Sequence, residues 1–204
     1  MSKTLIPALA GVGAAGLGGG IYLAHKNSEN PSPERKTILL RLEKEKYKPL
    51  KLDDPTHWQD SLTNYKKQHT QKTSYTEQEL KNLCSSLFKR DDIREEDYST
   101  AKRCCVVPRT ISQRLEDLGF KVIEASETEK WKKLSGEYKA SGTGNKKLGD
   151  LVNTAVDDES TGEKLKKKCQ EVLAKGHWEN NYDSLLEGSK TWCTDKALPP
   201  LQDV

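Results

Sequence analysis

The sequence predicts an all-α chain, with a single N-terminal transmembrane helix followed by a small helical domain. Three observations carry that reading. Leu5 to Ala24 is a run of twenty residues without a charge, bracketed by Lys3 and Lys26. Beyond it, apolar residues recur at helical rather than alternating spacing. Three Ser/Thr-x-x-Glu sequences, beginning at Thr76, Ser126 and Ser160, head such stripes, as capping boxes do at the first turn of a helix.

The apolar run comes first. As a helix it spans about 30 Å, the thickness of a bilayer's hydrocarbon core. It is rich in Gly as well as Ala; Gly weakens a helix in water but is more frequent in membrane helices, where lipid forces the backbone to bond internally. Gly16 and Gly20 form a small-xxx-small pair that suits close helix–helix contact in the membrane, and so a weak homo-oligomer. Two other readings of the segment stand beside the anchor. A cleaved signal peptide lacks its small residue at −3 in Tyr22-Leu23-Ala24, and Ala8-Leu9-Ala10 leaves almost no apolar core ahead of it. The third reading is a Gly-rich soluble loop. Lys26, Arg35, Lys36 and Arg41 outnumber Lys3, which by the positive-inside rule keeps the following domain in the cytoplasm. Long domains cross regardless of such a count, so both topologies stay open.

The chain then divides into an anchor at 1–26, a Pro-containing tether at 27–36, a helical domain at 37–196 and a frayed tail at 197–204. Thr37 to about Lys48 reads as a juxtamembrane helix whose basic residues face either water or anionic lipid. Asp54 as N-cap with Pro55 at the first position opens the next helix, and Trp58, Leu62 and Tyr65 line one face. The Thr76–Glu79 box leads into Leu80, Leu83, Cys84, Leu87 and Phe88. A turn near Arg90 follows, then a helix to about Cys105, stopped by Pro108. Thr110 to Leu118 is a short helix ended by Gly119. Phe120 to Ile123 is the single candidate strand and has no partner.

The Ser126–Glu129 box precedes Trp131, Leu134 and Tyr138. Ser141 to Asn145 is a loop without the Gly-Lys-Ser/Thr ending of a phosphate cradle. The Ser160–Glu163 box precedes Leu165, Cys169, Val172 and Leu173, and Gly176 sits where a C-terminal glycine cap belongs. Tyr182, Leu185, Leu186 and Cys193 mark the last helix.

Against 34 basic residues stand 31 acidic ones, so the domain carries no basic excess and reads as no nucleic-acid binder. No His-Glu-x-x-His or Gly-x-Ser-x-Gly motif is present, and His25, His57, His69 and His177 are scattered. Cys104-Cys105 beside His57 or His177 is the nearest thing to a nucleophile site, against inert packing on an apolar face. Cys84, Cys169, Cys193 and His177 as a zinc set lack any Cys-x-x-Cys pair. The chain therefore reads as a non-enzyme without cofactor or metal.

Two stretches match each other. Thr76-x-x-x-Leu80-x-x-x-Cys84-x-x-Leu87-Phe88 corresponds to Thr161-x-x-x-Leu165-x-x-x-Cys169-x-x-Val172-Leu173, and each runs on to a Tyr and a further Cys. Two related helix-pair units are one reading, and the general likeness of amphipathic helices is the other. The repeat suggests disulfides Cys84–Cys105 and Cys169–Cys193, leaving Cys104 over. Buried thiols fit equally well, and an antiparallel hairpin puts Cys105 about a turn past Cys84.

The opening Met-Ser-Lys-x-Leu-Ile-Pro-Ala-Leu-Ala-Gly-x-Gly-Ala-Ala-Gly-x-Gly-Gly-Gly-Ile-Tyr-Leu resembles that of expanded families of short membrane-anchored proteins of haemotropic mycoplasmas. So does the central Tyr98-x-x-Ala-Lys-Arg-Cys-Cys-Val-Val-Pro108 with its following helix and Leu-Gly-Phe. Where that family has Trp-Cys, this chain has Cys104-Cys105, and Trp192-Cys193 matches better. The resemblance implies a wall-less bacterium and a tethered, variable surface protein, with no catalytic residues to carry over. The functional expectation is a surface-displayed interaction or antigenic domain at the cell membrane, meeting lipid through its anchor and a host-cell or other protein through its domain. The alternative is a cytoplasm-facing tethered scaffold or accessory subunit.

Overall fold

Thr37 opens the first helix, its hydroxyl accepting the Leu40 backbone N–H at 3.2 Å. The computed structural model describes residues 37–156 and 161–195. Among them are eight α-helices and no strand: α1 Ile38–Lys44, α2 Trp58–Gln68, α3 Glu77–Phe88, α4 Glu95–Cys104, α5 Ile111–Asp117, α6 Thr128–Ser141, α7 Glu163–Leu173 and α8 Tyr182–Trp192. None of them is long and apolar enough to cross a membrane. Leu5 to Ala24, with Gly16 and Gly20, lies outside the described residues, as do the tether and the tail.

One apolar core runs through all eight helices. The stripes that periodicity marks are its walls: Leu80, Cys84 and Leu87 on α3, Trp131, Leu134 and Tyr138 on α6, Leu165, Cys169 and Val172 on α7. The residues opposite them are mostly polar or charged, such as Gln78 and Asn82 on α3 and Lys164 and Lys167 on α7, which keeps the burial one-sided.

Residues 37–107 and 110–195 repeat the same local devices in the same order. Thr37 and Thr110 cap α1 and α5, followed by Ile38 and Ile111, then Leu42 and Leu115, all fully buried. A residue with left-handed backbone ends each short helix, Lys46 (φ 61°) and Gly119 (φ 80°). The chain then extends and makes one antiparallel bridge, Pro49 with Val106 and Val122 with Thr194. Leu50 N–H donates to Cys105 O at 2.9 Å and Ile123 N–H to Cys193 O at 3.0 Å. The indoles of Trp58 and Trp131 donate back to the carbonyls of Lys51 and Glu124, at 3.1 and 2.9 Å.

The two sets meet at a polar seam. Arg114, 3% exposed, donates to the carbonyls of Lys46 (2.5 Å) and Glu45 while its guanidinium lies 3.8 Å from the Tyr47 ring centroid. Lys102 holds Asp183 at 2.7 and 2.8 Å.

Several helix starts differ from the sequence expectation. Asp54 does not cap α2. Its carboxylate takes the Thr56 N–H at 2.9 Å in a tight turn, and α2 begins at Trp58 after His57 in the left-handed region (φ 71°). The Ser126 box is not formed: α6 begins at Thr128, and Glu127 accepts the Glu124 N–H instead. In both places the tryptophan governs, because its indole must reach a carbonyl in the segment ahead of the helix. Ser160 lies outside the described residues; α7 begins at Glu163, directly behind Gly162. Gly162 precedes α7 because a Cβ there would stand 2.4 Å from the Trp131 carbonyl carbon. Gly176 is no helix cap; α7 ends at Leu173, and Gly176 makes room for the Trp178 ring. Thr110 forms a further capping box, closed by Gln113 in place of a glutamate. The candidate strand at Phe120–Ile123 is the extended stretch that makes the Val122 bridge.

Candidate functional site

The side chains with chemistry in them gather where each half closes. Cys84 lies on the buried face of α3, and Cys105 is the residue that ends α4, its N–H on Ala101 O. The two are bonded, with Cα atoms 5.4 Å apart. Cys169 on α7 and Cys193, which ends α8 with its N–H on Ser189 O, are bonded at a Cα distance of 5.7 Å. Helix hairpins of regular length would overshoot. Here the second cysteine stands at the point where the helix stops and the chain turns into its bridge, and that brings it level with its partner.

Cys104 is free and buried. Its Sγ lies 3.7 Å from Cys105 Sγ and donates to Thr100 O at 3.0 Å. Burial pushes the thiol up to about 12, so the nucleophilic thiolate is scarce at neutral pH. Cys84, Cys104 and Cys105 are the one group of metal-ligating side chains drawn together among the described residues, and two of the three sulfurs are spent in the disulfide. The set Cys84, Cys169, Cys193 and His177 is not assembled, since its cysteines belong to separate disulfides in separate halves.

His177 is not a base for Cys104. Its Nδ1 accepts the Arg109 N–H at 3.2 Å, and burial lowers its pKa to about 4, which keeps the ring neutral. The histidine beside Cys104 is His69, which shares with it a cavity of about 120 Å³ also lined by Tyr65, Gln68, Arg103 and Asn180. Sequence spacing offered no sign of this pairing, because α2 and α4 are brought together only by tertiary packing. His57 instead borders an open, mainly apolar groove of about 490 Å³ with Tyr47, Pro49, Leu50 and Val107.

A third cluster lies on α1 and α4. Arg41 stacks 3.7 Å from the Tyr98 ring centroid and grips Glu95 through both nitrogens, at 2.5 and 3.2 Å. Tyr98 donates to Glu45 at 2.5 Å; burial first and Glu45 second raise its pKa, so the phenol stays protonated. The cluster fastens α4 onto the first helix.

No family model, curated protein or solved structure matches the chain.

Proposed function

We propose that this is a membrane-tethered, non-enzymatic display protein, with Leu5 to Ala24 as an uncleaved anchor and the helical domain held outside the cell as an interaction or antigenic surface. The two disulfides carry this reading, because such bonds persist in oxidising surroundings and are rare in a reducing cytoplasm. The matched devices of the two halves support an internal duplication that reaches beyond the helix pairs to four helices each. The dense charge on the outer helix faces suits a soluble domain on a stalk. Its partners are lipid at the anchor and a protein of the host cell or of another cell at the domain, with weak self-association through Gly16 and Gly20.

The competing reading, a cytoplasm-facing scaffold, draws on the basic residues that follow the apolar run. Protease treatment of intact cells separates the two: display predicts loss of the domain, and the scaffold predicts its survival. Alkylation without reduction on protein from the native cell, read by mass spectrometry, adds the redox arm. Display predicts a single alkylated cysteine, Cys104, after denaturation. Five alkylated cysteines would remove the basis for display.

A further inference from the structure

In each half the residue just before the closing cysteine is the last of its helix: Trp192 in α8 and Cys104 in α4. In the second half an indole is seated here, at the edge of an open groove of about 460 Å³ that it lines with Ser141 and Thr191. The Trp192 indole meets the Tyr138 ring edge-on, centroids 5.0 Å apart, and donates to the Lys146 carbonyl at 2.5 Å. Lys146 belongs to the long connection between α6 and α7. In the first half the tyrosine at the matching place on α2 is Tyr65, the connection to α3 is short, and the small Cys104 side chain leaves the 120 Å³ cavity. Tyr75 packs against Tyr65, centroids 4.9 Å apart, without lining that cavity.

We propose that the cavity beside Cys104 binds one aromatic ring bearing a carboxylate, the ring against Tyr65 and Cys104 where the second half seats an indole, the acid toward Arg103 and His69. Size limits the ligand to one ring: a cavity of about 150 Å³ takes up benzene, and this one, at about 120 Å³, is filled by the ring alone, which leaves the acid at its edge beside Arg103. Charge sets the acid. Arg103 is fixed by the Asn180 side-chain and backbone oxygens, at 3.2 Å each, and makes no ion pair with a carboxylate among the described residues. Burial, Lys72 and Arg103 together lower the pKa of His69, the mark of a positively biased mouth. A carboxylate there gains a charge-assisted bond to a guanidinium already held in place. The site does not depend on which side of the membrane the domain occupies.

The full chain in detergent, titrated with 4-fluorophenylacetate and with neutral 4-fluorobenzyl alcohol and followed by fluorine line broadening, tests this. Binding of the acid below 1 mM is expected, with the alcohol roughly tenfold weaker or more, as fits one added charge-assisted bond. Cys104→Trp fills the seat and should abolish both signals with the helical circular dichroism intact. Arg103→Gln should erase the preference for the acid and leave ring binding. No broadening by either probe at millimolar concentration overturns the site, as does full binding in a folded Cys104→Trp chain. Should that variant fail to fold, an acid preference that survives Arg103→Gln overturns it.

Discussion

The half that ends at Cys105 and the half that ends at Cys193 share a frame and differ in what fills it. Shared are the threonine cap, the buried Ile and Leu of the short helix, the tryptophan bonded to a carbonyl in the segment before it, and the disulfide. These parts decide where the chain turns and which helix meets which. The fillings are free to change. Asp195 closes the second half's bridge with ion pairs to Lys130 at 2.8 Å and Lys121 at 3.7 Å, whereas Val107 at the matching place leaves an apolar groove. Trp192 and Cys104 differ in the same way. Frame residues are thus set by geometry, and the differences between halves mark where the surface is available for binding.

The largest effect expected from breaking that frame is at the tryptophans. Trp58→Ala and Trp131→Ala should each lower stability by about 4 kcal/mol in denaturant unfolding, because each removes a buried indole and orphans a carbonyl. Losses that differ by more than about 2 kcal/mol would show that the two positions are not equivalent parts.

Next comes His177, which lies in the second half with no histidine at the matching place in the first. Its folded pKa of about 4 lies below the ordinary value of 6.5, so between those values the unfolded chain takes up a proton that the folded chain refuses. Stability is therefore full above about pH 6.5 and falls by about 3 kcal/mol as pH drops toward 4. Between pH 6.5 and 4 the parent should lose about 3 kcal/mol more stability than His177→Gln; parallel curves would remove the histidine as the cause.

The smallest effect distinguishes the caps. Thr37→Ala and Thr110→Ala should each cost about 1 kcal/mol. Thr110 should cost the more, because Gln113 answers it by accepting the Thr110 N–H at 3.0 Å, whereas the residue at that position after Thr37 is Leu40, whose side chain has no acceptor. Thermal melts of the two variants resolve the order, and a larger loss at Thr37 would contradict it.

The helices were legible because burial falls on one face at a period the sequence displays, as at Leu80, Cys84 and Leu87. The stripes before Cys84 and Cys169 also name, through their likeness, the pairs that the structure bonds. Helix starts were not legible at Asp54 and Ser126, because the competing claim came from an indole whose acceptor lies seven residues back and on no local pattern. The wider repeat did leave a trace, Thr-Ile-x-x-Arg-Leu-Glu at both Thr37 and Thr110, with a tryptophan at the same distance beyond each. Arg114 and Arg41 occupy matching places in that motif and still do different work, one across the seam and one within its own half. The cavity at Cys104 left one trace, a Cys-Cys pair where the second half has Trp192-Cys193, but nothing in the sequence brings His69 or Asn180 to it.

The pairing of Lys48 and Leu50 with Cys105 and Val107, and of Lys121 and Ile123 with Cys193 and Asp195, brings the beginning of each half beside its end. A segment whose two ends meet can be copied in tandem with only a short joint, here Pro108 and Arg109, and no rethreading of the chain. The architecture is therefore open to growth by addition. A third set of four helices could be appended after Asp195 without disturbing the first two, lengthening the protein's reach while every copy stays locked by its own sulfur bond.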